Sequence, residues 1–481
     1  MKLDLTSDQI RTSMIVEASA GTGKTYAVAA LVARELALRD DLRIGNILIT
    51  TFTRNAAMEL RHRIRQRLIS TVADLRGAGS HSADAVTDLL FDIDEPERLK
   101  RAFRLERSLV EFDTATISTI HGVCSRVLRT AGVDLETVVD AEETNRIVSE
   151  VVNDQIVSAA ASGLRWDEVT LRSCLTTLLS DPFLEMWFDE KEIADQAVID
   201  RLQNLKELLT KCVQRVHSVM AATPDSNDLL RRACDLVKVS QSVVVKRLQQ
   251  RFLLAIVDEA QDTDRLQWEF FTRLFPGDDK RSLVSVGDPK QAIYSFRGAD
   301  VQAYVNFTKK GKNHRTLSTN WRSDQPLVEC LNEVFSETSF GEGIAYGHVN
   351  ASSNHQTSCL VGNVEPLEII HAGETDSQQS LVEPAVRKVI HLLDQVQLHL
   401  PDATAPCALV PSDICILTRT ASVSRMIERR LAQVGIPAVS GGTSSVMTGR
   451  MAFDLRLLLE AIEKPASNGH IRRAAATCFF G

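Results

Sequence analysis

The sequence predicts an α/β protein, a parallel sheet interleaved with helices and interrupted by a large helical insertion. Three observations lead there. Short apolar runs alternate with amphipathic stretches, the pattern of successive βα units. The first run opens into a glycine-rich turn followed by a helix. The first and fourth runs lie more than 200 residues apart, and the sequence between them has helical spacing.

Taken in order, Met14 to Val16 reads as a strand, Ala18 to Lys24 as a loop, and Thr25 to about Leu38 as an apolar-periodic helix. Ile47 to Phe52, Thr114 to Thr119, Phe252 to Asp258 and Ser282 to Gly287 read as further buried strands. From Val133 to Pro276 there is a single glycine, Gly163. Within that stretch Asn145 to Ala161, Glu190 to Met220 and Asp228 to Arg251 repeat apolar residues every three or four positions, which predicts an all-α subdomain. A second α/β unit is expected from near His314. Its strands are read at Thr316 to Thr319, Pro366 to His371, Asp413 to Arg419 and Ala438 to Ser440. Its helices are read at Gln325 to Glu337, Val382 to Gln397 and Ser422 to Val434, with a long loop over Ser336 to Asn363.

The 481 residues are enough for about three domains. A hydrophobic share of 44% with 25% charged residues suits a soluble globular chain and argues against disordered or fibrous classes. The longest apolar runs, such as Phe252 to Val257, are too short to span a bilayer. Met1 to Gln9 has no apolar signal core. A cytoplasmic protein with no membrane partner is therefore expected. Lysine and arginine total 55 against 63 acidic residues, which argues against a generally basic coat but leaves room for a local basic groove. The nine cysteines form no CxxC pair and read as buried apolar thiols in a reducing compartment.

The first motif with chemistry is Ala18, Ser19, Ala20, Gly21, Thr22, Gly23, Lys24, Thr25. A phosphate needs backbone N–H groups aimed at it, and small residues let the main chain come close; the helix start adds a favourable dipole. Lys24 is then expected on the β and γ phosphates and the Thr25 hydroxyl on Mg²⁺, although Ala18 stands where the GxxxxGKT pattern has glycine. The apolar run Leu253 to Val257 ends in Asp258 and Glu259, a second element of such a site. Asp258 is expected to hold Mg²⁺ and Glu259 to activate the attacking water. Gln291, just past the next strand, suits a γ-phosphate sensor, and Arg322 suits a finger neutralising transition-state charge. Taken alone, both also read as ordinary surface residues.

Six ordered segments carry a resemblance: Ala18 to Thr25, Thr50 to Leu60, Ile117 to Gly122, Val257 to Asp262, Gly287 to Gly298 and Asn320 to Ser323. Together they resemble the motifs of UvrD/Rep-type superfamily 1 DNA helicases. The forms at Ala18 to Thr25, Asp258 to Asp264 and Gly287 to Asp300 look most like the RecB branch, the beta subunit of exodeoxyribonuclease V. The resemblance implies two RecA-like domains closing on ATP and Mg²⁺, and 3′→5′ movement on single-stranded DNA. It implies recombination and double-strand-break repair at DNA ends, with other exodeoxyribonuclease V-type subunits as partners. Residues 1–132 and 251–312 are expected to form the first RecA-like domain, with 133–250 the helical insertion. Residues 313–450 are expected to form an incomplete second RecA-like domain, and 451–481 the start of a further helical insertion. By the same resemblance Trp321 stacks on adenine and Gln9 reads its edge.

A translocase grips any sequence, so it needs backbone contacts and stacking rings rather than base-edge readers. Phe52, Tyr294 and Phe296 lie at or beyond strand ends, where either base stacking or core packing is open to them, and Arg297 stands beside them. Thr51, Thr53, Asn55 and His121 are candidate phosphate or sugar contacts. Arg61, Arg63, Arg65 and Arg67 spread over two sides of a helix and read mainly as a solvated face. The family's late coupling motif and its second-arginine motif are not found, and the sequence stops at Gly481 within an apolar pattern. The expectation is a truncated helicase region, impaired alone and without nuclease activity. A non-catalytic remnant that binds DNA or partner subunits, and a P-loop NTPase or kinase without DNA function, are the competing readings.

Overall fold

The structure is a computed structural model that describes residues 2–7, 10, 12–78, 84–133, 141–161, 165–180, 186–188, 193, 195–220, 226–238, 243–277, 280–293, 301–310, 313–341, 344–362, 364–370, 378–400, 403–441 and 449–480. It divides into two compact units, Met1–Gln356 and Thr357–Gly481.

The first unit is built on a six-stranded sheet. Its strands are β1 (Met14–Ala18), β2 (Ile47–Thr51), β3 (Thr116–Thr119), β4 (Leu254–Asp258), β5 (Ser282–Gly287) and β6 (His314–Leu317). They lie in the order β3-β2-β4-β5-β1-β6, and every pairing is parallel. Successive side chains of a strand point to opposite faces, so each central strand feeds two cores. Ile47, Ile49, Leu254, Ile256, Val284 and Val286 pack on one face against α1 (Lys24–Leu38), α2 (Arg54–Leu75), α3 (Ala85–Phe91) and α4 (Glu95–Val110). Leu48, Ala255, Val257 and Leu283 pack on the other against α5 (Ile120–Thr130) and later helices.

The long gap between β3 and β4 is helical, as expected. α6 (Ala141–Ala161), α7 (Glu168–Ser180) and α8 (Gln196–Val219) share a core of their own around Val152, Leu175, Cys212 and Val216. The run expected over Asp228 to Arg251 is two helices, α9 (Ser226–Lys238) and α10 (Val243–Arg251). α9 packs back on the second face of the sheet beside α11 (Arg265–Leu274) and α12 (Val301–Lys310), where Trp268 stacks on Phe307.

Thr316 to Thr319, read as the opening strand of a second unit, proves different. It is observed as β6, the edge strand beside β1, with Val16 opposite Arg315. An edge strand pairs on one side only and none of the four residues of β6 is fully buried, so its polar composition hides its membership of this sheet. α13 (Gln325–Phe335) belongs to the first unit, and in the second unit α14 (Val382–Gln395) packs on α15 (Ala421–Gln433) through Val386, Val389, Ile427 and Leu431. The strands expected at Pro366 to His371, Asp413 to Arg419 and Ala438 to Ser440 are not strands among the described residues. Ile369, Leu417 and Val439 are 92%, 91% and 94% exposed there. An extended segment needs ladder partners and a covered face to hold as a strand. The strands that do form in this unit are short and antiparallel, Leu360–Val361, Gln397–Leu398 and Cys407–Ala408.

Two surface readings change as well. Arg63 and Arg65 are exposed, in line with the solvated-face reading, whereas Arg61 is half-buried over the Phe112 ring and donates to the Ala115 carbonyl, and Arg67 makes a bidentate pair with Asp84. Their stems cover apolar surface while the charged heads find partners. Of the nine cysteines, Cys124, Cys212 and Cys234 are buried, whereas Cys407, Cys415 and Cys478 are exposed. No described helix is long and apolar enough to cross a membrane.

Candidate nucleotide site and strand-end surface

Parallel strands end on one edge of the sheet, and that edge collects the residues singled out from the sequence. β1 leads into the glycine-rich turn. Gly21 and Gly23 have φ of 75° and 83°, the left-handed region that a β-carbon disfavours. Thr22 closes the turn by donating from Oγ1 to the Ser19 carbonyl at 2.7 Å. The Thr22 N–H reaches the same carbonyl at 3.3 Å, and the turn leads into α1, where Lys24 and Thr25 occupy the first turn.

Lys24 lies 235 residues before Glu259 and 267 before Gln291, yet its Nζ is 2.8 Å from Glu259 Oε2 and 3.2 Å from Gln291 Oε1. Asp258 ends β4 one strand away from β5, with Oδ1 buried and unpartnered. Burial first, and then the neighbouring Glu259 charge, push its carboxyl up to about 6, while Lys24 pulls the other way. Such an orphaned oxygen fits a divalent cation, which repays the desolvation of a carboxylate. Glu259 is the one non-glycine described residue with positive φ, at 49°. This strained turn lifts its side chain off the strand end towards Lys24.

Four residues of this site escaped the sequence reading as individuals, though all lie in the quoted motifs. Asp262 is buried, its Oδ1 is unpartnered, and burial followed by the Glu259 charge raises it to about 6. Gln261 donates from Nε2 to Glu259 Oε2 at 2.8 Å and accepts the Asp288 N–H at 2.9 Å. Asp288 accepts from Gln291 Nε2 at 2.7 Å and pairs with Lys290 at 2.7 Å. Asn320 donates to the Ala20 carbonyl at 3.3 Å and caps the Arg322 and Ser323 N–H groups at 2.8 and 2.9 Å.

The chain after β6 thus closes on the phosphate loop. The Trp321 N–H donates to the Gly21 carbonyl at 2.8 Å. A β-carbon on Gly21 would lie 2.6 Å from Asn320 Oδ1, so only glycine allows this approach. The Trp321 ring stands beside Gly23 and is 60% exposed, a free aromatic face at the mouth of the loop. Arg322 is exposed next to it.

The other half of the sheet edge carries the remaining candidates. Thr51 ends β2 and pairs in register with Thr119 of β3. Thr51 is buried and donates to the Thr53 carbonyl, Phe52 is half-buried, and Asn55 is exposed. Thr53 caps α2 by accepting the Ala56 N–H at 3.1 Å. His121 sits half-buried in the first turn of α5. Between the two halves a small recess is lined by Thr51, Phe52, Asp258, Glu259 and Gln267. Gln9, Tyr294, Phe296 and Arg297 lie outside the described residues.

Comparison with known proteins settles the family. The model of the UvrD/REP helicase N-terminal domain matches residues 4–312. The chain belongs to the UvrD/REP helicase family. Strands β1 to β5, the phosphate loop, Asp258, Glu259 and Gln291 fall within that match, while β6 and Asn320 to Ser323 follow it. Among curated proteins, it is 32% identical over 98% of its length to the RecBCD enzyme subunit RecB of Mycobacterium tuberculosis (strain ATCC 25618 / H37Rv), covering 44% of that protein. RecBCD enzyme subunit RecB of Escherichia coli (strain K12) is 24% identical over 97% of the chain and 51% of its own length. ATP-dependent DNA helicase PcrA of Leuconostoc citreum is 24% identical over 96% and 52%. The chain spans about half the length of the curated relatives it matches.

Proposed function

We propose that this chain is the ATP-driven helicase region of a RecB-like recombination and double-strand-break repair enzyme. It binds ATP with Mg²⁺ and tracks along single-stranded DNA from DNA ends, 3′→5′ by resemblance, in a cytoplasmic assembly with exodeoxyribonuclease V-type subunits. The observation that carries the reading is the meeting of Lys24, Glu259 and Gln291 at hydrogen-bond distance at one sheet edge. Residues so distant in sequence converge on one point when a triphosphate is to be held, hydrolysed and sensed there.

In this reading the loop from Ala18 to Gly23 cradles the phosphates, and Lys24 leaves Glu259 for the β and γ groups. Thr25 and Asp258 hold Mg²⁺, which draws charge off the phosphate oxygens when bound. Glu259 takes the proton of the attacking water, Gln291 senses the γ-phosphate, Arg322 offers its charge to the transition state, and Trp321 stacks on the base with Gln9 at its edge. Thr51, Phe52, Thr53, Asn55 and His121, with Tyr294, Phe296 and Arg297, form the strand track. The residues after β6 up to 450 form an incomplete second RecA-like domain, and 451–481 begin a further helical element.

ATP turnover with and without single-stranded DNA, in the wild type and in Lys24→Ala, tests the reading. DNA-stimulated turnover lost in the mutant is expected. DNA binding without turnover in either protein would instead support a non-catalytic DNA- or subunit-binding role, and turnover indifferent to DNA would contradict the helicase assignment.

A further inference from the structure

The polar side chains around Lys24 form a closed circuit. Lys24 Nζ donates to Glu259 Oε2; Gln261 Nε2 donates to that same oxygen; Gln261 Oε1 accepts the Asp288 N–H; Asp288 Oδ2 accepts from Gln291 Nε2; and Gln291 Oε1 returns to Lys24. The orientation of the Gln261 amide is fixed by its partners, because only its oxygen can take a backbone N–H and only its nitrogen can donate to a carboxylate. Gln261 and Asp288 are both buried, and Asp288 is further held by Lys290. A β-carbon on Gly287 would lie 2.7 Å from Gln261 Oε1, so the end of β5 is bare where this amide crosses it.

We infer that Gln261 and Asp288 are positioning residues for hydrolysis, a fixed bridge that keeps the water-activating Glu259 in register with the sensor Gln291. This rests on the motor reading above. The logic lies in what moves. Lys24 is the one cation in the circuit that a triphosphate claims, and on its departure Glu259 loses an ion pair while Gln291 loses a donor. Glu259 sits on a strained backbone turn and needs another anchor at that moment. Gln261 supplies it at Oε2 and leaves Oε1 to face the water. Asp288 does the same for Gln291: it occupies one N–H of the amide and leaves the other for the γ-phosphate. Because Gln261 is itself held by the Asp288 backbone, the base and the sensor shift together.

The test uses the full chain with saturating oligothymidylate. Gln261→Glu keeps the acceptor for the Asp288 N–H and replaces the donor facing Glu259 with a carboxylate oxygen. Its kcat for ATP should fall about 10- to 100-fold, the scale of a small misplacement at a reacting centre. KM and the affinity for a fluorescent N-methylanthraniloyl ATP analogue should change by no more than about threefold. Gln261→Ala should behave alike, and if it fails to fold Gln261→Glu carries the test. Combined with Gln291→Ala it should cost no more than the worse single change, since both break one bridge. Unchanged kcat in Gln261→Glu, or losses that multiply in the double variant, would overturn the inference. Turnover abolished by Lys24→Ala yet indifferent to Gln261→Glu would remove the bridge alone, whereas a wild type without turnover would remove the motor reading with it.

Discussion

Asp258 shows how a single side chain ties stability to the proposed cation. Its folded carboxyl is raised from 3.8 to about 6, so between those values the folded chain binds more protons than the unfolded chain. The sign follows: the protein without nucleotide is favoured at the acidic end of that window and loses stability as pH climbs through about 6. Asp258→Asn should therefore raise the melting temperature at pH 7.5, by the equivalent of roughly 1–3 kcal/mol, with the gain shrinking towards pH 4. A gain independent of pH, or a loss at pH 7.5, would contradict this origin. Lys24, Asp258, Glu259 and Gln291 were legible in the sequence because each motif pairs a residue type with one chemical need. Gln261, Asp288 and Asn320 were not, because their task is to hold other side chains and backbone groups, and residue type alone carries no signature of that. Asn320 became visible only when β6 brought it against Gly21.

At the scale of elements, α2 illustrates two demands on one residue. Thr53 was read as a phosphate or sugar contact, and the structure gives its hydroxyl the task of capping the helix. Thr53→Ala should cost about 1 kcal/mol of stability and Thr53→Ser should restore it, measured by thermal or denaturant unfolding. Wild-type stability in Thr53→Ala would remove the cap from the account. The central strands β2, β4 and β5 were legible because their residues are mostly apolar and buried throughout. β6 was misassigned because its His-Arg-Thr-Leu sequence is exposed or half-buried throughout and carries no apolar run. The second-unit strands failed for the opposite reason. Ile369, Leu417 and Val439 have strand-like surroundings in sequence, but a strand is defined by its neighbours.

At the scale of the whole molecule, the sheet order explains how two functions share one edge. β4, β5 and β1 carry Asp258, Gln291 and the phosphate loop past their ends, while β3 and β2 carry His121 and Thr51 to Asn55. β2 and β4 are hydrogen-bonded neighbours, with Thr50 opposite Val257. In the proposed function, a shift of Glu259 on nucleotide binding would pass one strand away, to the residues proposed as the DNA track. The formal charge of −8 makes this placement matter, since affinity for a polyanion must come from a local surface rather than from the whole chain.

Coupling between the two halves of that edge is a binding free energy, and it works in both directions. The most direct measurement is the affinity of a fluorescent oligothymidylate for the full chain, with and without Mg²⁺ and a non-hydrolysable ATP analogue, in the wild type and in Lys24→Ala. Nucleotide should shift the wild-type affinity by about fivefold or more and leave Lys24→Ala unmoved. Identical DNA affinities in the presence and absence of nucleotide, in a wild type that binds both, would contradict it.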